Sequence, residues 1–162
     1  MDTVFLENFY EFLLLVHLFA TFVLIGGMTH NLLCVVKYVR GKFGRQKLEW
    51  LYLRVSLWSY IITYVFGVLV YPAFRVYIRG GAEGFDKTIP WATGLFEVKE
   101  HWGAIGLALM FVYYFLRKNF KPEAEREKLL YFYAPLCVVL NVILWYKVVI
   151  GCCLTLIKGS WS

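Results

Sequence analysis

Three histidines are the residues of this chain best suited to chemistry, and two of them, His17 and His30, lie inside its first apolar run. The third, His101, opens a later one, one helical turn after Glu97 and directly after Glu100. An ionisable side chain within a bilayer is costly, so it marks function by default. An imidazole there can ligate a metal, move a proton or hold a polar core together. Lys147, enclosed by Trp145, Tyr146, Val148 and Val149, is a fourth such residue, expected near His17 and His101 and paired with Glu97 or with a cofactor carboxylate. Gly26 and Gly27 lie between the first two histidines, and Gly103 and Gly106 follow the third. Such small residues let a helix or a flat ligand approach the backbone.

The elements that must carry these residues are membrane helices. Hydrophobic residues make up 60% of the 162-residue chain and aromatic residues 20%, which sets it apart from soluble domains. At about 20 apolar residues per span, four spans are predicted, about 12–36, 52–74, 98–117 and 129–157, forming one all-α domain over residues 1–162, an integral membrane antiparallel four-helix bundle. The leader before the first run carries Asp2, Glu7 and Glu11 in place of basic residues, so that run is expected to persist as a helix. Basic residues crowd two connections: Lys37, Arg40, Lys42, Arg45, Lys47 and Arg54 in one, and Arg117, Lys118, Lys121, Arg126 and Lys128 in the other. By the positive-inside rule both are cytoplasmic, so both termini lie outside, on the periplasmic side of a bacterial inner membrane. The opposite side holds Asp2, Glu7, Glu11, Glu83, Asp86, Glu97 and Glu100 against Arg75, Arg79, Lys87, Lys99 and Lys158. A net charge of +6 is thereby a topology signal, and nothing in it calls for nucleic acid. Cys34, Cys137, Cys152 and Cys153 show no CxxC or CxxCH spacing, so they read as free thiols.

Depth selects among the histidines. Counted from the outer edge, His17 and His101 both fall within the first two turns of parallel spans, where two imidazoles can face one another. A bis-histidine haem b between facing helices needs that matched depth, small residues to admit the porphyrin and cations at the aqueous edge for its propionates. Arg75, Arg79 and Lys99 stand on the correct side. On helical periodicity, the face of His17 continues through Leu24, Met28, Asn31 and Val35, whereas His30 shares its side with Phe19, Val23, Gly26 and Cys34. His30 therefore has no histidine at its depth, and Met110 is its candidate partner for a second, His–Met haem. In span two, Tyr60, Thr63, Tyr64, Gly67 and Tyr71 form one polar-aromatic stripe, read as an interior packing face.

The segment Leu15-Val16-His17-Leu18-Phe19 with Gly26-Gly27 downstream, together with Val98-Lys99 at the head of span three, resembles the small haem-associated membrane proteins typified by the four- to five-span bacterial protoporphyrinogen oxidase. That family pairs an early histidine with a lysine at the head of a later span. The resemblance implies haem b, His17 as its ligand and Lys99 as a second functional residue. The chain departs from the pattern in carrying Met110 near where a further histidine follows the lysine, and in adding His101. Its outline is also similar to a four-span copper-resistance membrane family.

Three classes of function follow. One is a b-type cytochrome subunit, the membrane electron-transfer part of an oxidoreductase, working with other membrane or periplasmic redox subunits and the quinone pool. Another is an outer-face metal site built from Glu97, Glu100 and His101, with Glu11 and His17 nearby, whose oxygen and nitrogen donors suit zinc, iron or copper(II). The last is a cofactor-free structural or assembly subunit of a larger membrane complex. No hydrolase, kinase or nucleotide-binding motif occurs.

Overall fold

A computed structural model of the chain describes residues 6–80 and 84–160. Asp2 and Glu83, and the side chains of Glu7 and Lys158, lie outside the described residues. Every regular element described is helical: α1 (Tyr10–Val39), α2 (Gln46–Phe74), α3 (Phe85–Thr88), α4 (Pro90–Asn119), α5 (Arg126–Lys128) and α6 (Ala134–Ser160). Three helical stretches are long and apolar enough to cross a membrane: Tyr10–Val39, Gln46–Arg79 and Arg126–Ile157. α4 matches them in length, but Glu97, Lys99 and Glu100 interrupt its first half, and Arg117 and Lys118 end it. It starts at Pro90 rather than near residue 98. The charges masked that start in a hydropathy reading, whereas Pro90 at the first helical position marks it, since the ring presets φ and the missing N–H has no intrahelical use there.

The four long helices form a ring of neighbours, α1 against α2, α2 against α4, α4 against α6 and α6 against α1, with the most extensive pairing between α1 and α2. α1 ends where Gly41 takes a positive φ of 77°. The Gly41 N–H then reaches the Tyr38 carbonyl at 2.8 Å and the Lys42 N–H that of Lys37 at 2.9 Å, the Schellman pattern that satisfies a helix's last carbonyls. Two π-helical turns adjoin prolines. Arg75–Arg79 follows Pro72 inside α2, and Leu129–Tyr133 precedes Pro135 of α6. A proline cannot donate to the carbonyl four residues back, and a wider turn accommodates the misfit.

Burial is unlike that of a water-soluble protein. The interior holds Leu24, Met28, Val35, Leu53, Met110, Leu140 and the aromatic groups of Tyr38, Tyr60, Tyr113 and Tyr133. The outer surface displays Phe12, Leu15, Phe19, Phe22, Trp58, Phe115, Tyr131, Val142 and Leu156, each more than half exposed. A continuous apolar exterior over polar interior side chains is what a lipid solvent selects. At the end opposite the basic connections, α3 tucks Phe85 and Ile89 against Ala92, Phe96 and Leu154, closing a second, smaller apolar cluster.

Candidate functional site

At the end of the ring bearing the two basic connections lies a buried polar centre on five elements. α2 brings Glu49, which is fully buried, and α4 brings Arg117, whose Nε donates to Glu49 Oε2 at 2.8 Å. The guanidinium also donates through Nη1 to the Phe120 carbonyl at 3.3 Å, which fixes its plane where α4 ends. The Tyr133 hydroxyl, delivered by the π turn before α6, donates to Glu49 Oε1. From α1, the amide of Asn31 donates to Glu49 Oε1 at 3.3 Å and to the Glu49 carbonyl at 3.2 Å. The oxygen of that amide accepts from the Tyr113 hydroxyl at 2.6 Å and from Cys137 Sγ at 3.5 Å. Asn141 extends the set by donating to the Cys137 carbonyl at 2.9 Å. Tyr113 and Tyr133 stack at 4.4 Å between ring centroids, one bonded to Asn31 and the other to Glu49, so the aromatic faces line the buried ion pair. Beside it a shallow cleft lined by Gln46, Lys47, Trp50, Arg117 and Lys118 opens to the exterior.

The sequence reading passed over this centre. Glu49 falls within the basic connection, just ahead of the expected start of span two, and Arg117 counts there as one more cytoplasmic cation. One signal was present: Glu49 is the sole acid among the residues from Lys37 to Arg54.

The opposite end gathers His17, Tyr60, Lys147, Lys99 and Glu100. His17 is half-buried; its Nδ1 contacts the Thr63 carbonyl at 2.8 Å, and its ring packs on Gly67, where a Cβ would come within 3.1 Å of Cε1. A carbonyl only accepts, so Nδ1 carries a proton, and the ring in its neutral form presents the Nε2 lone pair. Lys99, Lys147 and Glu100 are all within electrostatic reach of this imidazole. The Lys147 ammonium sits against Gly103 and 5.9 Å from the centre of the Tyr60 ring, and the Tyr60 hydroxyl donates to the Gly103 carbonyl at 3.1 Å while pressing on Gly106.

The other expected residues are placed as follows. His101 is exposed, its Nδ1 bonded back to the Glu97 carbonyl at 2.7 Å, and His30 is likewise exposed, bonded to the Gly26 carbonyl at 2.7 Å and lying beside the Tyr52 ring. All three imidazoles thus use Nδ1 on a backbone carbonyl and leave Nε2 outside that bond. α1 and α4 are diagonal in the ring, and His17 turns towards α2 while His101 turns outwards. Met110 is fully buried in the main core, so it and His30 do not face a common space. Arg79 is engaged three ways: Nε with Asp86 at 3.1 Å, Nη2 with Glu97 at 3.1 Å, and Nη1 with the Tyr71 hydroxyl at 3.2 Å. Lys99 pairs with Glu100 at 3.1 Å and lies over the Phe96 ring, and Arg75 is exposed. Asp86 also accepts from the Thr93 hydroxyl at 2.7 Å, and that bond, with Arg79, holds its carboxyl below the ordinary aspartate value. Among the described residues, no three His, Cys, Asp or Glu side chains come together as a metal site. Cys34 and Cys137 are buried free thiols, and Cys152 and Cys153 are exposed free thiols.

As a test of fit to a haem, the nitrogens suit axial ligation, because a ring held through Nδ1–H to a backbone carbonyl offers Nε2 in fixed orientation. The space beside Gly103 and Gly106 is taken by Lys147 and Tyr60, so a porphyrin there requires those two side chains to turn away. No family model, no curated protein and no solved structure matches the chain.

Proposed function

We propose that this chain is an integral membrane protein with all four long helices across the bilayer, both termini on the periplasmic side of a bacterial inner membrane, and that it binds haem b as an electron-transfer subunit communicating with the quinone pool. The observation that carries the reading is the His17 imidazole, anchored through Nδ1 to α2 with Nε2 unused in the outer half of the ring. The charge asymmetry supports the topology, and the apolar exterior supports lipid as solvent. In this reading His17 and His101 are the axial ligands, which requires the exposed His101 ring to turn inwards from its bond to Glu97, and Arg75, Arg79 and Lys99 face the propionates. The likeness to the protoporphyrinogen oxidase type of haem-associated protein belongs to the same proposal. Bound haem would supply a one-electron couple that the polypeptide lacks.

The test is an oxidised and a dithionite-reduced spectrum of the protein purified in detergent after expression with ample haem. A low-spin spectrum is expected, lost or converted by His17→Ala and by His101→Ala, and unchanged by His30→Ala. Loss of the spectrum on His30→Ala alone would show that the wrong pair has been chosen, and a colourless protein overturns the cytochrome reading. A second reading, a cofactor-free assembly subunit, is favoured by the seating of Lys147 on Gly103 and Tyr60 on Gly106, which fills the space beside those glycines with side-chain atoms.

A further inference from the structure

The cleft beside Arg117 has a volume of about 280 Å³ and is lined by Gln46, Lys47 and Trp50 of α2 and by Arg117 and Lys118 of α4. Glu49 matches the charge of Arg117. Lys47 and Lys118 are exposed, and neither makes an ion pair among the described residues. Arg54 and Arg117 lie against the Trp50 ring, at 5.9 and 5.6 Å from its centre. One further acid comes near, Glu123, which accepts from Gln46 Nε2 at 2.6 Å. The balance of charge at the cleft is therefore positive. Cations that converge from two helices on one concave site at the cytoplasmic side suit the phosphate of a lipid headgroup.

The surroundings of the cleft are those of a membrane edge. Trp50 stacks on Tyr114 at 5.2 Å between ring centroids, an aromatic pair of the kind that sits at headgroup level. Two turns further into the layer on the same faces, Trp58 of α2 and Phe111 of α4 stand exposed. The pairing of α2 with α4 is also the least extensive in the ring. From this run of cationic cleft, aromatic rim and apolar flank we infer that the seam between α2 and α4 binds one anionic phospholipid. Its phosphodiester lies against Lys47 and Lys118, and its acyl chains lie along Trp58 and Phe111. A free phosphate ion would engage the lysines and leave the apolar flank unused, whereas a lipid engages both. The inference rests on the membrane placement proposed above, with α4 across the bilayer, and is independent of haem.

The test titrates the full-length protein, delipidated in a non-ionic detergent, with dioctanoyl phosphatidylglycerol. Native mass spectrometry counts the lipid retained, and melting is followed in parallel. One phosphatidylglycerol per chain is expected, with a raised melting temperature. Dioctanoyl phosphatidylcholine, whose choline offsets its phosphate, and inorganic phosphate at the same concentration should produce neither effect. Lys47→Ala combined with Lys118→Ala should weaken binding by about 30-fold, about fivefold for each lysine. Lys47→Arg with Lys118→Arg should bind like the parent. So should Lys42→Ala with Lys121→Ala, which removes the same charge outside the cleft. Melting without lipid checks that each variant is folded. The inference is overturned by no retained phosphatidylglycerol, by equal retention of phosphatidylcholine, or by a folded alanine variant of Lys47 and Lys118 that binds like the parent. A melting shift reproduced by inorganic phosphate makes the cleft a soluble-anion site and overturns the lipid assignment. Trypsin tests the membrane placement separately. Cleavage at the basic connections from inside-out vesicles alone is expected, and cleavage in intact spheroplasts overturns the topology whatever the lipid titration gives.

Discussion

The two polar centres solve the same problem in opposite ways. At the basic end, a fully buried carboxylate meets a guanidinium, a tyrosine hydroxyl and an asparagine amide, so its charge and its lone pairs are both satisfied. At the opposite end, Lys147 rests on a glycine and an aromatic ring among groups of both signs, and His17 keeps one ring nitrogen unused. A saturated network fixes one arrangement of the helices, whereas a loosely satisfied one can accept a ligand, a proton or a rearranged side chain. The difference leaves the basic end with its bonding groups used and the histidine end with a ring nitrogen unused.

The largest expected effect tests the saturated side. Arg117→Met strands the Glu49 carboxylate, and breaking a buried pair in this way costs about 3–5 kcal/mol. Thermal unfolding in detergent should show it, and adding Glu49→Gln should recover most of the loss. Lys147→Met at the other end should cost under about 1 kcal/mol, the scale of one cation–π contact. Equal costs for the two changes would erase the distinction between the centres.

Next come the glycines of α4. A methyl group at Gly106 meets the hydroxyl of Tyr60 and lies 3.1 Å from Ile143 Cγ2, and neither the ring nor the packed isoleucine yields easily. Gly106→Ala should cost about 1–3 kcal/mol, typical of overpacking. At Gly103 the obstruction is the mobile end of a lysine, so Gly103→Ala should be milder, and Lys147→Ala in the same chain should relieve what remains. Melting curves of these three variants sharpen the picture of how movable the histidine end is.

The smallest effect concerns Asp86, outside the membrane-crossing stretches. Its carboxyl is held low by the Thr93 hydroxyl and by Arg79. A depressed folded value means that its stabilisation is complete above the ordinary aspartate value, and fades as pH falls from there through the lower folded value. The stability gap between the parent and Asp86→Asn should therefore be constant near neutrality, shrink below about pH 3.9, and vanish in stronger acid.

The helical class and three of the apolar stretches were legible because long hydrophobic runs speak through composition alone. α4 was legible only from residue 98, because Glu97, Lys99 and Glu100 lower the hydropathy of its first half, and Arg79, the cation that satisfies Glu97, is brought to it only by folding. The interior stripe of α2 was read from spacing, and Tyr60 and Thr63 are buried on it. Glu49 and Arg117 escaped notice for a physical reason: an acid and a base 68 positions apart look like interfacial charges until folding sets them 2.8 Å from each other. Matched depth is the sequence argument for pairing His17 with His101, but depth says nothing about azimuth, and the ring of helices turns one towards α2 and the other outwards.

The short Gly41 turn also bears on the order in which the chain is made. α1 and α2 emerge first, share the most extensive helix pairing and are joined by only a few residues, so they can settle as a helical hairpin before α4 is synthesised. That hairpin already contains Asn31 and Glu49, but it lacks Arg117 and Tyr133. The nascent protein therefore passes through a stage in which the carboxylate waits for its cation, and the arrival of α4 acts as a latch: helices that enter in the wrong order or register leave Glu49 unmatched and are free to be released and tried again.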